Sequence, residues 1–279
     1  MFAQLALALA TLFQPSTGPS DDAPVALERI TSFATVVVNH VNSSIGTESL
    51  PVGAGVTVEP GVFVTIGMDR LQVFDHDAAV LQGGVVTDGT IAPECRSGCP
   101  AVLFDAFQYE WLKMAVEASY LEVDIATRVL FASHADVPAQ TLVMAAYAAA
   151  ETRPGAVPTL SVLLNMAGRG LRAQSVFLLP PEGLELQQGS AALGLTIEFD
   201  ATSFSVRGSD ASLGREKRGN SLKDVQAILK PIRKRYPGKE SIILVPRAGV
   251  TVGQMMALVQ VLRTDYPRIM LSLGQDVII

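Results

Sequence analysis

Cysteine, histidine and tryptophan are scarce in this chain: two, three and one among 279 residues. The cysteines, Cys95 and Cys99, stand together, and His76, the nearest histidine, is solitary. A zinc centre normally takes four ligands, so no metal site is expected. Basic residues are outnumbered, 21 against 27, and the net charge is -6. Nucleic-acid binding, which needs a basic face, is not expected. No apolar run reaches the roughly 20 residues of a membrane-spanning helix. Gly-x-Ser-x-Gly and Gly-x-x-x-x-Gly-Lys-Ser/Thr are both missing, which removes the usual signatures of a hydrolase elbow and a phosphate loop. What the chain does have is apolar residues, at 49%, enough to fill one or two sizeable cores.

The main pattern is a repeat. Ser241–Leu273 reads as an apolar strand, a turn at Arg247-Ala-Gly-Val250, a helix over Thr251–Thr264, a stop at Pro267 and a second strand. Thr127–Leu164 reads the same way, with a turn at His134-Ala-Asp-Val137 and a helix over Pro138–Thr152. Val129 falls on Ile242, Val137 on Val250 and Pro154 on Pro267, each 113 residues apart. Each copy is a βαβ unit.

A hairpin precedes each unit. Val62–Ile66 and Leu71–Phe74 flank the turn at Gly67–Arg70; Leu195–Phe199 and Ser203–Gly208 flank the turn at Asp200–Thr202. Matching Thr65, Ile66 and Asp69 to Thr196, Ile197 and Asp200 gives a separation of 131. The loop Leu81–Pro100 is expected to absorb the difference from 113. A helix follows each hairpin, over about Leu103–Ser119 and Ser221–Tyr236. Ser221 with Asp224 predicts an N-cap, and Pro231 predicts a kink. Pro24–Ser44 suits a buried helix or strand. The expected fold class is therefore α+β: two similar ββαβαβ modules, each a mixed sheet with two helices on one face. The boundaries are 1–20 for an apolar segment and linker, 50–165 for the first module, 166–193 for a linker with a strand at Ser175–Leu179, and 194–279 for the second module.

The second module resembles the periplasmic domain of the ExbD/TolR biopolymer-transport family, in its hairpin Leu195–Gly208, helix Ser221–Tyr236, strand Ile242–Val245 and helix-strand pair Thr251–Leu273. The family's turn after the third strand usually carries an Asp. Asp136 matches it in the first module, while Gly249 stands there in the second. Leu50-Pro51 resembles the family's lead-in to its soluble domain. The resemblance implies an accessory component of an energised cell-envelope transport complex. It would partner a membrane-embedded motor protein or an envelope protein, and work as a homodimer or as a module pair within one chain. Family members also carry a membrane helix with a coupling Asp. Here Asp21 and Asp22 lie in a proline-flanked linker instead. The alternative is a stand-alone periplasmic binding or scaffold protein without proton coupling.

Site candidates are few. Cys95 and Cys99 suit a local disulfide, which would place the chain in an oxidising compartment, or two free thiols. Asp136 is expected to cap the helix that begins at Pro138, and catalysis by His134 with Asp136 is not expected. Lys230, Arg233, Lys234 and Arg235 form a basic face, either solvated or meeting an acidic partner. Gly208–Gly219 reads as a mobile loop. No cofactor and no enzymatic activity are expected. Met1–Phe13 fits an export signal or a partial anchor, so the chain is expected to be exported, periplasmic or anchored to the inner membrane.

Overall fold

The computed structural model describes residues 23–74, 76–121, 128–153, 158–166, 170–179, 194–208, 216–238 and 240–274. Residues 1–22 lie outside it, and with them the apolar N-terminal segment. The fold is mixed α+β, built on one sheet of twelve strands.

Helix α1 (Ala23–Ser44) leads through a short 3-10 turn at Thr47–Ser49 into the sheet. A meander follows: β1 (Val62–Ile66), β2 (Arg70–Val73), β3 (His76–Gln82) and β4 (Val85–Val86). Next come α2 (Ala101–Leu121), β5 (Arg128–Ser133), α3 (Ala139–Thr152), β6 (Thr159–Asn165) and β7 (Leu171–Leu178). The later elements are β8 (Thr196–Phe199), β9 (Phe204–Arg207), β10 (Lys217–Gly219), α4 (Leu222–Arg235), β11 (Ser241–Pro246), α5 (Val252–Leu262) and β12 (Arg268–Leu271). Across the sheet the order is β10-β9-β8-β11-β12-β7-β6-β5-β1-β2-β3-β4.

Three features differ from expectation. The sheet is continuous, and its link is β7, inside the span assigned to a linker. β7 runs antiparallel to β6 over six residue pairs and parallel to β12 over two. A third meander strand stands in each half: β3 beside β2, and β10 beside β9 in the expected loop. The third is register. Ile66 pairs Ser133 on the parallel neighbour and Leu71 across the hairpin; Phe199 pairs Pro246 and Phe204 in the same roles. Ile66 therefore corresponds to Phe199, 133 residues on, and the separation of 131 is wrong by two. Side chains alternate faces with period two, so a two-residue slip keeps every apolar residue on its own face and leaves the pattern looking correct.

The sheet buries both faces over its first half. Val62, Val64, Ile66, Val129, Phe131, Leu160 and Val162 point to the side carrying α2 and α3, in one core cluster that continues under α4 and α5. Phe63, Leu130, Ala132 and Leu163 point the other way, onto Phe33, Val37 and Val41 of α1. Those three recur every four residues, which sets them on one stripe of a helix. Burying each is worth about 1.5–3 kcal/mol. Thus α1, absent from the expected two helices on one face, closes the second face of the first half.

Capping chemistry fixes two of the helix starts. Ser221 Oγ accepts the Asp224 N–H at 3.2 Å, as expected. Thr251 and Gln254 form a reciprocal capping box at α5. Helix α4 continues through Pro231 to Arg235.

Candidate functional site

The strand-to-helix turns after β5 and β11 meet. The Ala139 N–H donates to the Val250 carbonyl at 2.8 Å, and the Val252 N–H donates to the Val137 carbonyl at 2.8 Å. Ala139 and Val252 are 113 residues apart, as are Val137 and Val250, so the two bonds are reciprocal. Pro138 and Thr251 lie opposite each other in an antiparallel bridge between them. The Gly253 N–H also reaches the Ala135 carbonyl, at 2.8 Å. Each turn thus satisfies donors at the start of the other half's helix, donors that an α-helix leaves without internal partners.

This contact corrects the role expected of Asp136. No side chain caps α3; its N-cap is Pro138. The Asp136 carboxylate is exposed, and the Asp136 N–H donates to His134 Nδ1 at 3.1 Å. The Val250 carbonyl takes up the donor of Ala139, the first residue of α3. The two turns are also built differently. Gly249 has φ +86°, a left-handed conformation that glycine adopts without steric cost. The first turn has no left-handed residue and tolerates Asp136 at that position.

His134 and Asp136 are adjacent, at 3.9 Å between Nδ1 and Oδ2. Nδ1 already accepts the Asp136 N–H, so the pair has no free lone pair there for taking a proton. Among the described residues no group of three His, Cys, Asp or Glu is placed to hold a metal.

Further contacts tie the halves together. Tyr147 Oη, buried on α3, lies 2.7 Å from the Leu179 carbonyl and 3.2 Å from the Leu271 carbonyl. Arg263 Nη1 donates to the Ala54 carbonyl and to Gln174 Oε1, at 2.6 and 3.0 Å. An open cleft of about 340 Å³ lies beside Arg263, between Gly55, Gln174, Ser175 and Pro267.

Cys95 and Cys99 have their sulfurs at bonding distance, as a disulfide requires. Their loop is tied to the end of α3, where Glu151 accepts the backbone N–H of Arg96 and of Ser97 at 2.7 and 3.0 Å. Lys230, Lys234 and Arg235 are exposed on α4, while Arg233 is half-buried against the Tyr266 ring. Arg233, Lys234 and Arg235 occupy the helix's last turn, where cations offset the negative end of its dipole.

Two titrating groups stand out. Glu110 on α2 is buried, and that burial holds its carboxyl above its usual range, against the opposing pull of Lys113 and His76. Asp200 accepts from the hydroxyls and backbone N–H groups of Ser203 and Thr202, which lower it to about 2. Sequence reading missed Glu110 because it lies on the core side of α2, at a position that reads as an ordinary helical charge.

No family model, no curated protein and no solved structure matches the chain. Among the described residues no helix is long and apolar enough to cross a membrane.

Proposed function

We propose that this chain is an accessory component of an energised cell-envelope transport complex, resembling the ExbD/TolR family. In this reading one fold unit, written twice, stands as a built-in pair whose surfaces engage partners. The reciprocal bonds Ala139 to Val250 and Val252 to Val137 carry the reading, because bonds that exchange roles at a fixed offset are what a two-fold pair produces. The ladders agree. β1-β5-β6 and β8-β11-β12 are both parallel triplets, each with an antiparallel meander on its outer side. The repeated unit is then βββαβαβ, one strand longer than the sequence suggests.

The chain acts by binding rather than by chemistry in this reading. Its partner is a membrane-embedded motor protein or another envelope protein, and its place is the periplasm or the outer side of the inner membrane. The Cys95–Cys99 pair supports an oxidising compartment. Affinity capture of the full chain from detergent-solubilised membranes of its own cells tests this. A multi-span membrane protein should be retained specifically. Recovery of the chain in the periplasmic fraction with no such partner sinks the transport reading in favour of a stand-alone scaffold protein.

A further inference from the structure

Helix α2 has two apolar stripes. Leu103, Phe107, Trp111, Met114 and Ala118 face the core. Tyr109, Leu112, Val116 and Tyr120 form the other, at helical spacing, and are 59%, 60%, 66% and 91% exposed. The fold does not require this second stripe. Helix α4 holds the equivalent place in the other half. Aligning Phe107, Trp111 and Met114 with its buried Val225, Leu229 and Ile232 puts Leu112 and Val116 on Lys230 and Lys234. The same scaffold position is basic in one half and apolar in the other.

The charges around the stripe limit what covers it. Lys113 and Glu117 run down one flank, and Asp105 is exposed on the other. One cation among two carboxylates is a poor match for an anionic lipid surface. It does match itself. When two such helices pack antiparallel, like flanks face each other. A single register then sets Tyr109 against the second copy's Tyr120, Leu112 against its Val116, and Lys113 against its Glu117. The two-fold axis makes each of these pairs twice.

We propose that two copies of this chain associate through α2, antiparallel, in that register. This contact is separate from the pairing of the two halves within one chain and does not depend on the transport reading. The stripe covers only about three helical turns. The contact is therefore smaller than the roughly 800 Å² per partner of a standard interface, and association falls in the micromolar-to-millimolar range.

Sedimentation equilibrium of the full chain across that range tests the proposal, and a concentration-dependent dimer is expected. Leu112→Glu with Val116→Glu should leave it monomeric at unchanged Tm, because both side chains are exposed. Glu117→Lys sets like charges together and should weaken the dimer roughly threefold to tenfold. Adding Lys113→Glu to Glu117→Lys exchanges the two charges and should restore it. A wild-type monomer at every concentration overturns the proposal, as does a dimer indifferent to the Leu112 and Val116 changes. Flotation with phosphatidylcholine vesicles, lost in the double Glu variant and without self-association, assigns the stripe to lipid and overturns it too.

Discussion

The two halves share a ladder and differ in what was added to it. In the first half a fifteen-residue excess precedes the outer helix: the offset between corresponding residues falls from 133 at Ile66 and Phe199 to 118 at Trp111 and Leu229. That excess holds the longer third strand β3, the strand β4 and the disulfide loop. The first half also has α1 across its second sheet face. The second half has a shorter outer helix, α4, with basic residues on its outer face. The shared parts, the parallel triplet and the paired turns, lie towards the middle of the sheet, and the differences lie towards its ends. Divergence at the rim with a constant centre is expected when the centre holds two units together.

The largest expected effect comes from breaking that centre symmetrically. Val252 and Ala139 are the first residues of their helices, where proline keeps the helix but removes the N–H. Val252→Pro should leave the Val137 carbonyl without its donor, and Ala139→Pro should do the same to Val250. Each should cost about 1–3 kcal/mol of unfolding free energy by denaturant titration. Similar losses at the two sites support a two-fold pair. A loss at one site with none at the other breaks the equivalence.

The next effect belongs to the first half alone. Cys95→Ser with Cys99→Ser opens a loop of five residues, and loop-closure entropy sets the cost at about 2 kcal/mol. Mass spectrometry with and without reductant checks that the bond is present in the native chain.

The repeat was legible because apolar strands and amphipathic helices carry period-two and helical patterns. The strands β5 and β11 and the helices α3 and α5 fall within two residues of where the pattern puts them. What failed did so for physical reasons. β4 and β10 are two and three residues long, too short to show a period, although Gly83-Gly84 before β4 is a hairpin signal that went unused. Hairpin register was lost because pattern cannot detect an even-numbered slip. Asp136 looked like a cap because its partner for that task, the Val250 carbonyl, is 114 residues away, and nothing local announces it.

A third, smaller effect tests the outer helices. Glu110 lies where α4 has Ile228, by the same alignment. Burial raises the folded-state carboxyl above its unfolded value, so the folded state holds the proton more tightly. The stabilising contribution is present below the unfolded value of 4.5 and is lost as pH rises through the folded one. Glu110→Gln should therefore raise the Tm at neutral pH and flatten its pH dependence above 4.5. A lower Tm at pH 7 would mean that the Lys113 contact outweighs desolvation.

The smallest effect compares the hairpin turns. The ladder puts Asp200 opposite Gly67, so Asp200 and Asp69 are not equivalents. Only Asp200 closes its turn, accepting from both side chain and backbone of Thr202 and Ser203, whereas Asp69 lies exposed beside Arg70. The carboxylate form is the one those bonds stabilise, so the contribution is present above the unfolded value of 3.8 and is lost as pH falls through about 2. Asp200→Ala should open the β8–β9 turn, seen as faster amide exchange at Thr202 and Ser203. It should also remove a step in the acid titration between those two values. Asp69→Ala should leave both measurements unchanged at its own turn. Equal effects at the two sites would restore the register of 131 that the ladder rejects, and the pairing of the halves would need a different alignment.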